Sequence, residues 1–227
     1  MLFSLEAARD NVRNRDGKRV FYLGKGDQLT SDARDFLNRE RIEILPAEKA
    51  KPQRYRLLSG GFLEEKPEHM THLNGDVLVP KTHPRIAFRG AMDTLEAELL
   101  LCQLELPACR QPLEELLTLA RNILRWEILG EPARETPLCG LTQEQLRQHS
   151  HRPQDFYGQP HFMPSVSDGA QVLRLNRLRC AVRHAELKAV AAFTDPRGQV
   201  EREDLLRCLN RMSSMVYILM IQAKSGR

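Results

Sequence analysis

The sequence lacks any long hydrophobic run. Its longest apolar stretch, Met215–Ile221, is far shorter than the roughly 20 residues that a helix needs to cross a bilayer. This length excludes an integral membrane protein. The chain begins with apolar residues, but Glu6, Arg9 and Asp10 interrupt them at once. We therefore expect no secretory signal.

Motifs that hold metals or nucleotides are also missing. The five cysteines include no Cys-x-x-Cys pair, so we expect reduced thiols in a cytoplasmic protein. His69 and His72 lie in a predicted loop without a nearby cysteine, and there is no Glu-x-x-His pair of the di-iron type. Neither a Walker loop nor a Rossmann fingerprint occurs. We predict no dedicated transition-metal site.

Charge of one sign is not in large excess. The chain carries 34 basic and 30 acidic side chains, a net charge of +4. Because these charges are interspersed, they do not predict nucleic-acid binding, although they suit an anionic small molecule. With 227 residues, 41% of them hydrophobic, the chain is expected to form one domain, or one domain with a small appendage.

The first part of the chain has mixed periodicity. Residues 1–14 have the pattern of a short amphipathic helix. A β-like run over Arg19–Leu23 is followed by a helix from Thr30 to about Arg41 and a short strand over Ile42–Leu45. We predict a small α+β appendage over residues 1–45. Residues 46–80 contain a Gly60-Gly61 break and little periodicity, which is typical of a linker or arm with turns.

The remainder, residues 81–227, has helical periodicity. Its apolar stripes predict a mainly α fold, an antiparallel helical bundle in which the stripes form the core. A short helix over Gln143–His149, a loop over residues 150–168 and a turn over Asp195–Gly198 are predicted between the long helices. The long helices are predicted over Pro84–Leu106, Pro112–Leu129, Gly169–Phe193 and Val200–Lys224.

Polar residues recur on one face of each of the last two long helices. Arg179, Arg183 and Glu186 are spaced by four and three residues, which places them together either as a solvated stripe or as a ligand site. The last helix has a similar polar face, which suits ligand binding or a polar layer that fixes the bundle register. That face carries Arg207, Asn210, Arg211, Ser214 and Tyr217.

A basic segment precedes the first long helix. Lys81 lies just before the helix and Arg85 lies in its first turn. The free N–H groups and partial positive charge of a helix N-terminus favour anions, so this segment suits a polyphosphate. Asp93 follows about two turns later. It either pairs with an arginine of a facing helix or is a solvated carboxylate.

Two segments carry a family resemblance. Lys81–Asp93, with Lys-Thr-His-Pro-Arg at its start, and Leu209–Tyr217, with Asn-Arg-Met-Ser-Ser inside it, resemble the ethanolamine-utilisation corrinoid adenosyltransferases. Residues 29–34, Lys66-Pro67, residues 71–73 and residues 175–186 agree as well, so the resemblance covers nearly the whole chain. This family is similar to the PduO-type adenosyltransferases, whose fold is a helical bundle.

The resemblance implies an activity. Cob(I)alamin attacks the 5′ carbon of ATP and gives adenosylcobalamin and triphosphate. By position, Lys81, Arg85 and Arg183 match cations that hold and neutralise the leaving triphosphate. Mg²⁺ is expected to accompany ATP. Further ATP contacts match Glu186, Asn210 and Arg211, and Asp93 and Arg179 match an ion pair that orients the site.

The resemblance also implies a corrinoid contact. In these relatives an apolar side chain displaces the lower axial ligand of cobalt, which makes Co(II) reducible. The matching loop precedes the third long helix, and Phe162 is our first choice for this role, with Phe156 or Tyr157 in reserve. The alternative is that these aromatic residues only pin the loop to the bundle.

The sequence departs from the family in three places. Familiar members have a Cys-Cys-x-x-Cys cluster before Lys-Pro, where this chain has Tyr55, Arg56 and Ser59. We therefore predict no tightly bound iron or zinc. Ser214 replaces an aspartate of the PduO-type pattern, and the glycine-rich N-terminal ATP strand has no clear counterpart.

The resemblance further implies partners. PduO-type relatives are trimers with active sites between subunits, so a homotrimer is expected, with a dimer as the alternative. A corrinoid reductase, ethanolamine ammonia-lyase and a bacterial microcompartment are the implied associates, the last through residues 1–14. Two other functions remain open at this point: an adenosylcobalamin carrier without transferase activity, and a microcompartment scaffold.

Overall fold

In a computed structural model, residues 2–15, 17–47 and 55–226 are described. The chain divides into two compact units. Unit 1 comprises Met1–Tyr55 and Phe62–Glu65, and unit 2 comprises Arg56–Gly61 and Lys66–Arg227. Within the described ranges, every helix is too short or too polar to cross a bilayer.

Unit 1 is a small α+β unit. Its strand β3 (Lys18–Leu23) lies between an antiparallel neighbour, β2 (Arg13–Arg15), and a parallel neighbour, β5 (Glu43–Pro46). The apolar sides of its two helices enclose a small core that includes Phe21 and Leu37, neither of which is exposed. The elements are β1 (Leu2–Phe3), α1 (Leu5–Asp10), β2 (Arg13–Arg15), β3 (Lys18–Leu23), β4 (Gln28–Leu29), α2 (Ser31–Arg39) and β5 (Glu43–Pro46).

The predicted strands and second helix of this unit are confirmed, but the first helix is shorter than expected. It covers only Leu5–Asp10. The Ser4 hydroxyl accepts the Ala7 N–H at 3.2 Å and starts the helix late. Arg13–Arg15 pairs as a strand instead, because backbone pairing with β3 satisfies groups that a frayed helix end leaves open.

The segment predicted as a linker contains strands. They are β6 (Tyr55–Leu57), β7 (Phe62–Leu63), β8 (Met70–Asn74) and β9 (Val77–Pro80). β9 pairs antiparallel with β8 and parallel with β6. Asn74 pairs with Val77, so the turn between β8 and β9 is Gly75-Asp76. Such a pair is a hairpin signal, and Gly75 has a φ of 51°. Residues 48–54 of the predicted linker lie outside the described residues.

Unit 2 is otherwise helical, and the predicted mainly α class is confirmed. Its buried core is formed by one face of each long helix. It includes Trp126, the only tryptophan of the chain, which is 5% exposed. The helices are α3 (Pro84–Glu105), α4 (Arg110–Leu129), α5 (Gln143–His151), α6 (Pro153–Tyr157), α7 (Gly169–Phe193) and α8 (Glu203–Lys224).

Local signals explain where these helices begin and end. Pro84 occupies the first turn of α3, and His83 Nδ1 accepts the Arg85 N–H at 3.2 Å. Gly130 ends α4 with a φ of 68°, the left-handed conformation that glycine adopts without strain. The predicted loop over residues 150–168 contains the short helix α6. Pro153 pre-sets its first turn.

Two contacts fix how α3 lies along α7. The ring of Phe88, near the start of α3, meets that of Phe193, at the end of α7, with centroids 5.6 Å apart. Near the other end, Glu98 of α3 accepts hydrogen bonds from Arg174 at 2.7 Å and from Arg177 at 2.9 Å. The bond from Arg177 is the largest of the influences that hold the Glu98 pKa below its ordinary value.

Candidate functional site

A cleft of about 470 Å³ lies in unit 2 between α7, α8 and the loop that precedes α7. The periodicity of α7 places Arg179, Arg183 and Glu186 along it, and α8 adds Asn210. Phe162 lines the cleft from the loop. Five of the residues predicted from the sequence therefore meet in one place.

Arg183 is the freest of these cations. Its side chain is exposed, and it makes no hydrogen bond or ion pair with any described residue. Glu186, one turn along, is instead hydrogen-bonded, because Asn210 Nδ2 donates to its Oε1 at 3.0 Å. Asn210 Oδ1 in turn accepts from Arg211 Nη1 at 3.0 Å. This string of hydrogen bonds joins α7 to α8 and leaves Arg183 available for an anion.

Arg179 is held by an aromatic ring. Its Cζ lies 4.8 Å from the ring centroid of Tyr217, a distance typical of a cation–π contact. Its Nε is buried and has no hydrogen-bond partner among the described residues. The predicted partner, Asp93, is exposed on α3, and the described residues include no ion pair between the two. One chain therefore does not bring this pair together.

The loop side of the cleft is aromatic. His161 Nδ1 and the Tyr217 hydroxyl are 3.0 Å apart, and their rings are stacked with centroids 5.8 Å apart. The ring of Phe162 lies 6.2 Å from that of Tyr217 and carries Lys224 Nζ at 4.4 Å. Beside it, Met163 is 89% exposed. The sequence analysis placed Tyr217 on the polar face of the last helix, but it predicted neither its contact with Arg179 nor its contact with His161.

Phe156 and Tyr157, the two reserve candidates for the corrinoid contact, do not line this cleft. Phe156 stacks on His149 with centroids 3.8 Å apart and lines a different cleft. The Tyr157 hydroxyl lies 2.8 Å from His149 Nδ1, and burial raises the pKa of Tyr157. Both side chains attach α6 to α5. Only Phe162 of the three predicted aromatics lines the cleft that holds Arg183.

The basic segment before α3 is not part of the cleft in a single chain. Lys81 is exposed. Arg85 Nε donates to Glu127 Oε1 at 2.6 Å, and Arg89 Nε donates to the other carboxylate oxygen at 2.7 Å. The Glu127 side chain is fully buried. Burial, followed by the charges of Arg85 and Arg89, lowers the pKa of His83.

Arg211 lines a second cleft that adjoins the first. This cleft also contains Glu186 and Asn210, and its other basic lining residues include Arg147 and Arg207. Arg147 belongs to α5, a helix to which the sequence analysis gave no role. Within the described ranges no group of three or more His, Cys, Asp and Glu side chains is arranged to hold a metal.

Comparison with known protein families identifies the family to which this chain belongs. The model of the cobalamin adenosyltransferases matches residues 62–223, which contain the whole cleft, and the chain belongs to this family. The resemblance seen in the sequence is confirmed.

Two relatives narrow the class. The corrinoid adenosyltransferase EutT of Salmonella typhimurium LT2 is 37% identical over 216 residues, which are 95% of this chain and 80% of that protein. The EutT of Escherichia coli K12 is 37% identical over 158 residues, 69% of this chain and 59% of that protein. No solved structure matches the chain.

Proposed function

We propose that this chain transfers the 5′-deoxyadenosyl group of ATP to cob(I)alamin, giving adenosylcobalamin and triphosphate that leaves with the bonding electron pair. The observation that carries this proposal is the meeting of Arg183, Glu186 and Asn210 with Phe162 in one cleft. The resemblance implies that Arg183, Glu186 and Asn210 bind ATP and that Phe162 contacts the corrinoid. Membership of the cobalamin adenosyltransferase family supports the activity. A carrier without transferase activity is not favoured, because the family and the relatives are named for the transfer.

The unpaired Arg183 is the main cation of the cleft for the leaving group. As the C5′–O bond breaks, negative charge grows on the triphosphate, and a pre-oriented guanidinium stabilises it. Co(I) is already a strong nucleophile, so the site needs no general base. Much of the acceleration comes from holding cobalt and C5′ in line. Arg179, fixed over Tyr217, places a second guanidinium beside the cleft.

Phe162 is the side chain that we assign to the lower face of the corrinoid. Its ring is partly buried and packs against the helical core, so it is fixed enough to exclude an axial ligand. The neighbouring Met163 is exposed and extends the apolar surface of the cleft. Phe156 and Tyr157 remain structural members of α6 in this proposal.

A second copy of the chain completes the site. Lys81, Arg85 and Asp93 do not line the cleft of their own chain, so we assign them to the cleft of a neighbouring subunit. Asp93 of one subunit then pairs with Arg179 of the next. The exposed face of α3 beside Asp93 carries Leu100, Leu101 and Leu104, which are 48%, 46% and 80% exposed and suit a helix–helix interface. A homotrimer repeats this contact around a closed ring, with a dimer as the alternative.

The helices of unit 2 are proposed to form the antiparallel bundle of the family. The contact between Phe88 and Phe193 and the pairing of Glu98 with Arg174 support opposite directions for α3 and α7. We retain the functional division into an appendage over residues 1–45, an arm over residues 46–80 and a transferase domain over residues 81–227.

The metal requirement is proposed to be Mg²⁺ brought with ATP. Tyr55, Arg56 and Ser59 replace the cysteine cluster of familiar relatives and offer no thiolate, the ligand that structural zinc prefers. A tightly bound iron or zinc is therefore not expected. We further propose a cytoplasmic enzyme, associated with a microcompartment through residues 1–14. A corrinoid reductase would supply it with substrate, and ethanolamine ammonia-lyase would use its product.

An anaerobic assay tests this function. Chemically reduced cob(I)alamin and MgATP are incubated with the protein, and formation of the light-sensitive Co–C bond is followed by absorbance. One sample is treated with a chelator and desalted before Mg²⁺ is added. We expect protein-dependent product in both samples. Corrinoid binding without product would favour the carrier, and activity lost with the chelator and regained only with zinc or iron would overturn the metal proposal.

A further inference from the structure

Three arginines converge between α5 and α8. Arg207 and Arg211 lie one turn apart on α8, and Arg147 faces them from α5. Together with His151 they line a cleft of about 510 Å³. The sequence gave no reason to place Arg147 near the other two, because the packing of α5 against α8 brings it there.

The guanidinium groups of this cleft are poorly neutralised. Arg211 Nε is buried without a hydrogen-bond partner among the described residues. Burial, followed by the charge of Arg147, lowers the pKa of Arg211. Arg147 makes no ion pair within the described part of the chain. Arg207 has only a contact of 3.4 Å with Glu135, and both side chains are more than half exposed, so that pair contributes little.

The acidic residues of the lining do not cancel this charge. Glu186 is engaged by Asn210 at 3.0 Å, and Glu203 lies exposed at the N-terminus of α8, where the helix dipole already favours it. Among the lining residues, three arginines therefore face two glutamates, while Glu135 and Glu144 act on Arg207 and Arg211 from outside the lining. An unsatisfied buried donor together with excess positive charge is the condition under which an anion binds strongly.

The arginine cleft continues the cleft that holds Arg183. His151, Glu186 and Asn210 belong to the linings of both. A ligand long enough to extend from Arg183 past Glu186 and Asn210 would therefore enter the arginine cleft.

We propose that Arg147, Arg207 and Arg211 form a phosphoryl-binding subsite that extends the substrate cleft. This inference rests on the proposed function, from which two phosphoryl sources follow. One is the triphosphate part of ATP. The other is the phosphodiester in the nucleotide tail of cobalamin, which needs a place of its own once its base has left cobalt. Both present the oxygens that arginine binds with paired N–H donors.

Isothermal titration calorimetry on the full chain distinguishes the triphosphate of ATP from the nucleotide tail of cobalamin as the group that this subsite binds. The probes are inorganic triphosphate, cobalamin, and cobinamide, which has the corrin ring but no nucleotide tail. The variants are Arg147→Gln and Arg207→Gln, and the matched control is Arg125→Gln on α4, whose side chain is 63% exposed and only weakly paired. Losing one charge-assisted hydrogen bond is expected to weaken binding about tenfold.

If the subsite holds the triphosphate, both variants bind inorganic triphosphate about tenfold more weakly and bind the corrinoids as the wild type does. If it holds the nucleotide tail, cobalamin binding falls by that factor while cobinamide binding is unchanged. Wild-type affinity of both variants for all three probes overturns the subsite. Because these readouts do not need turnover, a wild type that binds the probes but forms no Co–C bond would remove the proposed function and leave the subsite in place.

Discussion

The guanidinium of Arg179 lies over the ring of Tyr217, 4.8 Å from its centroid, while the hydroxyl of the same tyrosine lies 3.0 Å from His161 Nδ1. One side chain of α8 thus fixes a cation of α7 and the loop before α7. Tyr217 is only 8% exposed, so this arrangement is set before any ligand arrives.

Two substitutions at Tyr217 separate its functions. Tyr217→Phe keeps the ring under Arg179 and loses only the hydroxyl, so we expect a modest rise in KM for the corrinoid. Tyr217→Leu also removes the cation–π contact, worth about 0.5–2 kcal/mol, and we expect about a tenfold further loss in kcat/KM. Steady-state kinetics under anaerobic conditions measures both. Equal effects of the two substitutions would show that the ring does not position Arg179.

Phe162→Ala is expected to impair reduction of bound Co(II), because the axial position is no longer excluded. Phe156→Ala is the matched control, since that ring lines a different cleft and stacks on His149. The electron paramagnetic resonance spectrum of bound cob(II)alamin distinguishes four- from five-coordinate cobalt. If Phe156→Ala changes this spectrum and Phe162→Ala does not, the assignment of the two rings is wrong.

Mixed oligomers test the proposed site between subunits. Arg183→Ala and Lys81→Ala are each expected to lower turnover by about 10²-fold or more, the typical loss for one transition-state cation or donor. When the two inactive proteins are unfolded, mixed and refolded, some interfaces pair an intact Arg183 with an intact Lys81 of the partner subunit. We expect activity to return in part. Absence of recovery, with mixed oligomers shown by mass spectrometry, contradicts a shared site. His184→Ala, on the exposed face beside Arg183, serves as the control variant.

The buried carboxylate of Glu127 is expected to stabilise the fold strongly. Glu127→Ala leaves Arg85 and Arg89 without their common partner, and breaking a buried pair in this way costs about 3–5 kcal/mol. Glu131→Ala removes an exposed contact of 3.7 Å to Arg125 and should cost less than about 1 kcal/mol. Urea unfolding measures the free energy of both variants. A similar small loss for each would mean that water reaches Glu127.

Asp204 predicts a loss of stability in acid. Burial would raise its pKa, but the hydrogen bonds from Arg202 and from the Ala133 and Leu205 N–H groups outweigh it and lower the pKa to about 2. A carboxyl whose pKa is depressed in the folded state stabilises the protein above its unfolded pKa and loses that effect as the pH falls through the folded value. We expect Asp204→Asn to lower the free energy of unfolding by about 1 kcal/mol at neutral pH. This difference should disappear between about pH 4 and pH 2, and a constant difference across that range would contradict the assignment.

The long helices were predictable because their signals are local. The apolar stripe of α7 gave its bounds, Gly169–Phe193, and Pro84 and Gly130 marked helix ends. The strands of residues 55–80 were not recognised, since they are short and have few local sequence signals besides the Gly75-Asp76 turn. Helix α6, five residues long, gives too little periodicity to detect.

The site was predictable in part for a different reason. Residues that share one helix face, such as Arg179 and Glu186, are brought together by the helical repeat alone. The placement of Arg147 beside Arg211 depends on how α5 packs on α8, which no local pattern encodes. Asp93 and Arg179 were expected to pair, and a single chain does not contain that contact. A sequence pattern does not distinguish neighbours within a chain from neighbours between chains.

The solitary indole in the helical core gives the protein a built-in optical reporter. Trp126 lies on α4 beside Glu127, and its carbonyl accepts a hydrogen bond from Arg202 at 3.5 Å. Because Trp126 is 5% exposed within the helical core, its fluorescence reports hydration of the bundle interior, whereas the cleft that holds Arg183 has no indole in its lining. Because corrinoids absorb in the range of tryptophan emission, the integrity of each variant can be scored by emission before the corrinoid is added, and its catalysis by corrinoid absorbance afterwards.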